Sequence, residues 1–431
     1  MTFRQAEEYL LGLELFGMRF GLDRMHKLMT VLGLPQRRFA SIHVVGSNGK
    51  SSTVRFCAAI LERHGVRTGS YTSPHLGSFR ERIEVGEEPV SEVDFAAAVQ
   101  RAAHAAELVN RTQAPDDGVT QFEALTAAAY HELARRGVEA AVVEAGLGGR
   151  FDATNVIPSK VQVLTSVGLE HTRWLGPTLT DIAGEKLAVV RDHATLVLGE
   201  LGAEVRTVAD RVAADRRARM VVVGPEPDAG RPVGAVRPTD LGIALRAPGR
   251  FQRRNFALAA AAAEAFLDRP LDRRALERAG AETRIPGRLD VVSGRPLTVY
   301  DSAHNPDGAR ALADSLDEVL GDRRPRVAVV AILEDKDAAG MLEALLPAAD
   351  RAVFTRSSNP RSLPPATLAT LAEKLGAGDA VAAAETVADP RAAVERAREL
   401  AGPGGAVLAT GSIYLVADLM RERPRARAST L

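Results

Sequence analysis

One stretch restricts the fold of this chain more than any other: Ile42-His43-Val44-Val45-Gly46-Ser47-Asn48-Gly49-Lys50-Ser51-Ser52-Thr53. An apolar strand runs into a glycine turn, and a lysine with three hydroxyl residues opens a helical pattern that extends over 52–64. Such a unit aims backbone N–H groups and a helix N-terminus at a phosphate chain. Lys50 supplies a cation for the terminal phosphates, and Ser51 or Ser52 offers a hydroxyl to Mg²⁺. The full spacing G-x-x-x-x-G-K-[ST] needs glycine at position 44, where valine stands. The loop is therefore not that of an ordinary ATPase or GTPase.

At 431 residues the chain is long enough for more than one domain, each with its own core. Fifty-five basic residues balance 55 acidic ones, so no net field favours nucleic acid or an anionic membrane. Cys57 is the only cysteine and reads as a small buried hydrophobe; with no intrachain disulfide, the expected setting is a reducing cytoplasm. No signal peptide is visible, and no apolar run approaches the roughly 20 residues needed to cross a bilayer. The basic tail 421–427 reads as a disordered end. Only six basic residues are lysine, and Lys50, Lys186 and Lys336 all fall in segments that look special for other reasons.

The first two-thirds alternates strands and helices in the manner of a parallel sheet. Strands are expected at 42–45, 67–72, 140–144, 161–167, 195–198 and 220–223, with helices at 93–106, 121–136 and 180–191. The segment 225–248 is rich in Pro and Gly and reads as an irregular excursion, and helical pattern resumes at Asn255. A boundary is expected at Arg284-Ile285-Pro286-Gly287. A second α/β series follows, with strands at 297–300, 326–332, 352–355, 381–384 and 406–409 and helices at 309–319, 339–346, 365–375 and 390–400. Nothing in it matches G-x-G-x-x-G after a strand, which argues against a nicotinamide cofactor.

Polar residues gather at the strand ends, where open parallel sheets place ligands. Ser73 follows the second strand, Glu144 ends the third, Glu170-His171 follow the fourth, and Asp301 to Asn305 follow the first strand of the second series. A carboxylate closing a buried strand is costly unless it is paired or bound to metal. For Glu144 two resolutions stand side by side: a Mg²⁺ shared with serine hydroxyls, or an ion pair with Arg150. His171 by itself reads more readily as a structural histidine than as a ligand.

The motifs at 46–50, 71–76 and 146–155, with Gly168-Leu169-Glu170-His171-Thr172, Glu185-Lys186, Pro286-Gly287-Arg288, Ala303-His304-Asn305-Pro306 and Gly411-Ser412-Ile413-Tyr414, resemble folylpolyglutamate synthase/dihydrofolate synthase. That family belongs to the Mur ligase superfamily of ATP-dependent amide-forming enzymes. The resemblance covers nearly the whole chain in order. It implies an N-terminal P-loop-type parallel-sheet ATPase domain over 1–285 and a smaller C-terminal Rossmann-like α/β domain over 286–431. It implies ATP phosphates on Asn48, Gly49, Lys50, Ser51 and Ser52, and nucleotide contacts from Asn255, Arg288 and Asp301. Ser51, Ser73 and Glu144 match a first Mg²⁺ site, His171 a second, and Lys186 a lysine often carried as a carbamate. His304, Ser412 and Tyr414 resemble positions on the amino-acid side. Gln121, Phe122, Glu123, Phe151, Asp152 and Ala153 match segments that hold a pterin-bearing substrate. Lys50, Glu144, His171, Lys186 and Arg288 are the expected catalytic set.

The activity so implied is transfer of L-glutamate onto dihydropteroate, folyl-glutamates or both, by a cytoplasmic monomer. Some positions depart from the family's pattern: Ser51 and Ser302 for glycine, Glu170 for aspartate, Phe251 for histidine, and Leu187 to Arg191 for the usual run after Lys186. Two other readings remain beside it. One is a specialised paralogue joining a different acid and amino acid. The other is a nucleotide-binding protein without ligase activity.

Overall fold

The computed structural model describes residues 1–13, 21–114, 116–224, 235–237 (backbone only), 241–376 and 384–421. Two sheets organise them. The first contains β1 (Ala40–Val45), β2 (Thr68–Tyr71), β3 (Ile83–Val85), β4 (Glu88–Pro89), β5 (Ala140–Glu144), β6 (Val161–Leu164), β7 (Thr195–Leu198), β8 (Arg219–Val223) and β9 (Ala235–Arg237). Their order is β4-β3-β2-β5-β1-β6-β7-β8-β9. All neighbours are parallel except the β2–β3–β4 edge, which folds back as antiparallel ribbons.

β1 sits between β5 and β6, so the chain leaves it to one side and later returns on the other. This is the switch point at which parallel sheets open a crevice at their C-terminal ends. Val45, Glu144 and Leu164 end the three strands that meet there. The phosphate-loop helix runs Lys50–Arg63 and packs against Arg250–Leu267, with the Phe56 and Phe256 rings edge-on at 5.2 Å. Ile42 and Val44 join that core, while helices Glu92–Asn110 and Gln121–Arg135 cover the opposite face with Tyr71, Tyr130 and Val143.

The second sheet contains β10 (Asp290–Gly294), β11 (Leu297–Tyr300), β12 (Arg326–Val330), β13 (Arg351–Phe354), β14 (Glu385–Thr386) and β15 (Ala406–Thr410), in the order β10-β11-β15-β12-β13-β14. β10 is antiparallel and the remaining pairs are parallel. Helices Pro306–Leu320, Ala338–Leu345 and Pro365–Leu375 pack on one face, Pro390–Ala401 and Ile413–Met420 on the other.

The α/β reading with two mostly parallel sheets holds. The expected excursion at 225–248 falls largely outside the described residues, but 235–237 adds a ninth strand to the first sheet. The expected strand at 381–384 also lies mostly outside them. The helix expected from Asn255 begins earlier, at Arg250, directly after Gly249. Among the described residues, no helix is long and apolar enough to cross a membrane.

Candidate functional site

A cleft of about 1340 Å³ lies across the C-terminal ends of both sheets. That exceeds the roughly 300–1,000 Å³ of a pocket for one small ligand, and leaves room for more than one. Every expected site residue lines it except Gln121.

The phosphate loop forms its floor. Gly49 has φ +83°, and a Cβ there would lie 2.4 Å from Asn255 Oδ1, so only glycine lets the loop pass under that amide. Asn48 N–H donates to Ser166 Oγ at 3.0 Å, and its carbonyl accepts from the Thr165 hydroxyl at 2.6 Å. Lys50 Nζ donates back to the Gly46 and Ser47 carbonyls at 3.0 and 3.3 Å, curling over the loop. Ser51 sits in the first turn of the helix, where N–H groups have no intrahelical acceptor.

Glu144 closes β5 and is buried. Its Oε1 accepts from Ser51 Oγ at 3.0 Å and its Oε2 from the Ser73 N–H at 3.1 Å. Burial raises its pKa, opposed by Lys50 and these hydrogen bonds. Arg150 is not its partner: that guanidinium pairs with Glu185 at 2.8 Å, because the 146–152 turn carries it outward. Among the described residues no three His, Cys, Asp or Glu side chains cluster as a metal cage. A carboxylate beside serine hydroxyls nevertheless suits Mg²⁺, a hard cation that keeps waters and substrate phosphates in its shell.

Lys186 is 2% exposed, donates to the Gly46 carbonyl at 2.9 Å and pairs with Glu170 at 3.3 Å. Burial lowers its pKa to about 8 against the pull of Glu170. Burial would raise Glu170, but Lys186 and Lys50 hold it well below the usual carboxylate range. His171 and His304 both line the cleft. Loss of hydration and the nearby Lys336 push each imidazole down to about 4, so both are neutral and can accept a proton or a metal.

The second sheet supplies the facing wall. Asp301 is buried and its carboxylate accepts from the Leu289 and Ala303 N–H groups at 2.9 and 2.8 Å. Arg288 lies beside it, close enough to favour the ionised forms of both Asp301 and Glu144. Ser412 caps the helix Ile413–Met420, and Tyr414 is buried and hydrogen-bonded to Arg361. Two primary amides join the walls: Asn48 Nδ2 donates to Asn305 Oδ1 at 3.1 Å, and Asn305 Nδ2 donates to Asn48 Oδ1 at 3.0 Å.

On the remaining wall Phe122 stacks on Tyr71, with centroids 6.2 Å apart, and Phe151 and Ala153 line the same cleft. A Cβ at Gly146 would lie 2.6 Å from Phe122 Cζ, so the ring fills the space this glycine leaves open. Asp152 is buried and accepts from the Leu147 and Thr154 N–H groups at 2.8 and 3.0 Å. Glu123 is tied to Arg24, with Nε to Oε1 at 3.1 Å. Gln121 points elsewhere: its Nε2 donates to the Leu10 carbonyl at 2.8 Å, because the first helical turn aims it at the N-terminal helix.

Sequence reasoning did not find Arg24, Trp174 or Arg361 on the cleft wall. Nothing in their local pattern sets Arg24 and Arg361 apart from the many other arginines, whereas Trp174 is the only tryptophan and lies two residues beyond the Gly168–Thr172 motif, a signal that was available. Lys336 also lines the cleft, and its rarity as a lysine was the signal for it.

The 287–413 segment matches the glutamate ligase domain of Mur ligases. Over 396 residues the chain is 36% identical to the dihydrofolate synthase/folylpolyglutamate synthase of Mycobacterium tuberculosis, covering 85% of this chain and 80% of that one. The chain belongs to the folylpolyglutamate synthase/dihydrofolate synthase family. A crystal structure of the Mycobacterium tuberculosis folylpolyglutamate synthase complexed with ADP and AMPPCP superposes with a TM-score of 0.86 at 32% identity, over 97% of each chain. Escherichia coli FolC in complex with DHPP and ADP superposes with a TM-score of 0.83 at 28% identity, again over 97% of each. As a member of this family the chain is an ATP-dependent glutamate ligase, and the reading as a nucleotide-binding protein without ligase activity is set aside.

Proposed function

We propose that the cleft activates a pteridine-bearing carboxylate with ATP and joins it to the amine of L-glutamate. The observation that carries this reading is the facing of Lys50, Ser51 and Glu144 on the first sheet by Arg288 and His304 on the second, within one cavity. The nucleotide-bound and DHPP-bound relatives support it.

In this reading the ATP phosphates lie on Asn48 to Ser52, with Asn255, Arg288 and Asp301 holding the rest of the nucleotide. The acceptor rests against Phe122, Phe151 and Ala153, and its carboxylate attacks the γ-phosphorus. ADP leaves and an acyl phosphate forms. Lys50 and Arg288 balance the charge that develops on the phosphoryl oxygens. The glutamate amine then adds to the acyl carbon, and the tetrahedral intermediate collapses by expelling inorganic phosphate. His304, Ser412 and Tyr414 orient glutamate, and the proton that the amine gives up leaves with the expelled phosphate as HPO₄²⁻. Ser51, Ser73 and Glu144 would hold one Mg²⁺ and His171 a second, supplying positive charge at the phosphates. Lys186 carried as a carbamate would become an anion beside them.

The two sheets are proposed to be separate domains, 1–285 and 286–431. The second begins one residue before the glutamate-ligase match, which starts at 287. Closure would bring the two reactants together and exclude water. The lone buried Cys57, which leaves no possible intrachain disulfide, supports a cytoplasmic setting.

The test is ADP release with dihydropteroate or tetrahydrofolate as acceptor and glutamate as second substrate. Glutamate-dependent turnover is expected with at least one acceptor, and Lys50→Ala is expected to lower it about 100-fold or more. No turnover with either from folded protein would refute the acceptor assignment and favour a paralogue with another acid.

A further inference from the structure

His43 lies in the middle of β1 and takes no part in the chemistry above. It is completely buried, two strand positions before the residue that enters the phosphate loop. Its side chain alternates with those of Ile42 and Val44, so it faces the core beneath the acceptor wall. There its Nε2 meets Thr154 Oγ1 at 2.8 Å.

Proton accounting fixes the direction of this bond. The single hydroxyl proton of Thr154 is donated to Asp152 Oδ1. Thr154 Oγ1 can therefore only accept from His43, which must carry its proton on Nε2. Nδ1 is then the unprotonated nitrogen; it is buried and has no hydrogen-bond partner among the described residues. Burial and the nearby Arg191 keep the ring neutral, with its pKa pushed down to about 3.

The chain of bonds continues to the cleft. Asp152 Oδ2 accepts from the Leu147 N–H at 2.8 Å, closing the turn that starts at Gly146, against which the Phe122 ring packs. Thr154 is also the acceptor of Tyr130, whose OH donates to its carbonyl at 2.9 Å. Tyr130 belongs to the same helix as Phe122. One buried threonine thus holds both the turn and the helix that shape this wall.

We propose that His43 and Thr154 are positioning residues for the acceptor: the His43–Thr154–Asp152 relay fixes the 146–152 turn, against which the Phe122 ring packs, relative to the strand that carries the phosphate loop. The proposal rests on the assignment of this wall to the acceptor. It makes β1 a shared support, holding the nucleotide side at its end and the acceptor side through His43.

Two measurements test it. In ¹⁵N-histidine spectra of the wild-type protein, one ring, identified by its loss in His43→Gln, is expected to carry Nε2–H and a bare Nδ1 from pH 5 to 9. A proton on Nδ1 would overturn the relay. In steady-state kinetics Thr154→Val is expected to raise the acceptor KM about tenfold while the ATP KM stays within about twofold. Thr154→Ser, which keeps the hydroxyl, should restore the wild-type value. Acceptor and glutamate KM values both unchanged in folded Thr154→Val would also refute the proposal. A rise in the glutamate KM alone, with the Nε2–H spectrum, would keep the relay and overturn the assignment of this wall to the acceptor.

Discussion

Lys186 and Glu170 form a pair 3.3 Å apart in a place where water is nearly absent. A buried ammonium is costly, and the lysine pKa falls to about 8. At pH 7 roughly a tenth of this amine is neutral, and at pH 8 about half. The neutral amine is the form that adds CO₂, so a carbamate at Lys186 should accumulate as pH rises through 8. Carbon-13 NMR with labelled bicarbonate is expected to show one carbamate signal that grows across this range and is missing in Lys186→Ala. A signal that persists in the variant would place the carbamate elsewhere. Residues of this kind were partly legible. Glu144 announces itself by closing a buried strand, where a charge needs an explanation, and Lys50 by its place between a glycine turn and a helix. Gln121 and Glu123 lie two residues apart in the first turn of one helix, and only the packed helix shows that the first ties down the N-terminal helix while the second holds Arg24.

At the scale of elements, Asn305 performs two tasks. Its Oδ1 caps the helix Pro306–Leu320 through the Gly308 N–H at 2.8 Å, and the same amide exchanges two hydrogen bonds with Asn48 of the phosphate loop. Capping fixes the amide plane before the two sheets meet, so the pair sets their register at little entropic cost. Asn305→Ala should lose about 0.5–2 kcal/mol of stability through the cap. Asn48→Ala leaves that cap intact and should change the melting temperature less, yet both should lower kcat. A double-mutant cycle on kcat/KM is expected to show a coupling of about 0.5–3 kcal/mol. Strict additivity would mean that the amide pair does not matter to turnover.

Elements with strong periodicity were readable. The strands 140–144, 195–198 and 297–300 and the helix 365–375 lie where their patterns put them. The short ribbons β3, β4 and β10 were not, because two to five residues with Gly, Pro and charges at an edge carry no alternation to detect. The strand expected at 161–167 stops at Leu164, since Thr165 and Ser166 leave the sheet to hydrogen-bond Asn48.

For the whole molecule, the strand order could not be read from local pattern. β1 and β5 are separated by some 100 residues and yet pair in register, Val44 opposite Glu144. That pairing is what sets the phosphate loop beside the carboxylate. Nor could the meeting of the two sheets be derived from residue spacing; the resemblance implied it and the cleft displays it. Both sheets are proposed to act on one carboxylate, converting it to an acyl phosphate that the glutamate amine then attacks. Turnover of an acceptor labelled with ¹⁸O in the reacting carboxylate, followed by mass spectrometry of the phosphate released, tests this directly. One labelled oxygen in each phosphate is the predicted result, and phosphate free of label would contradict it.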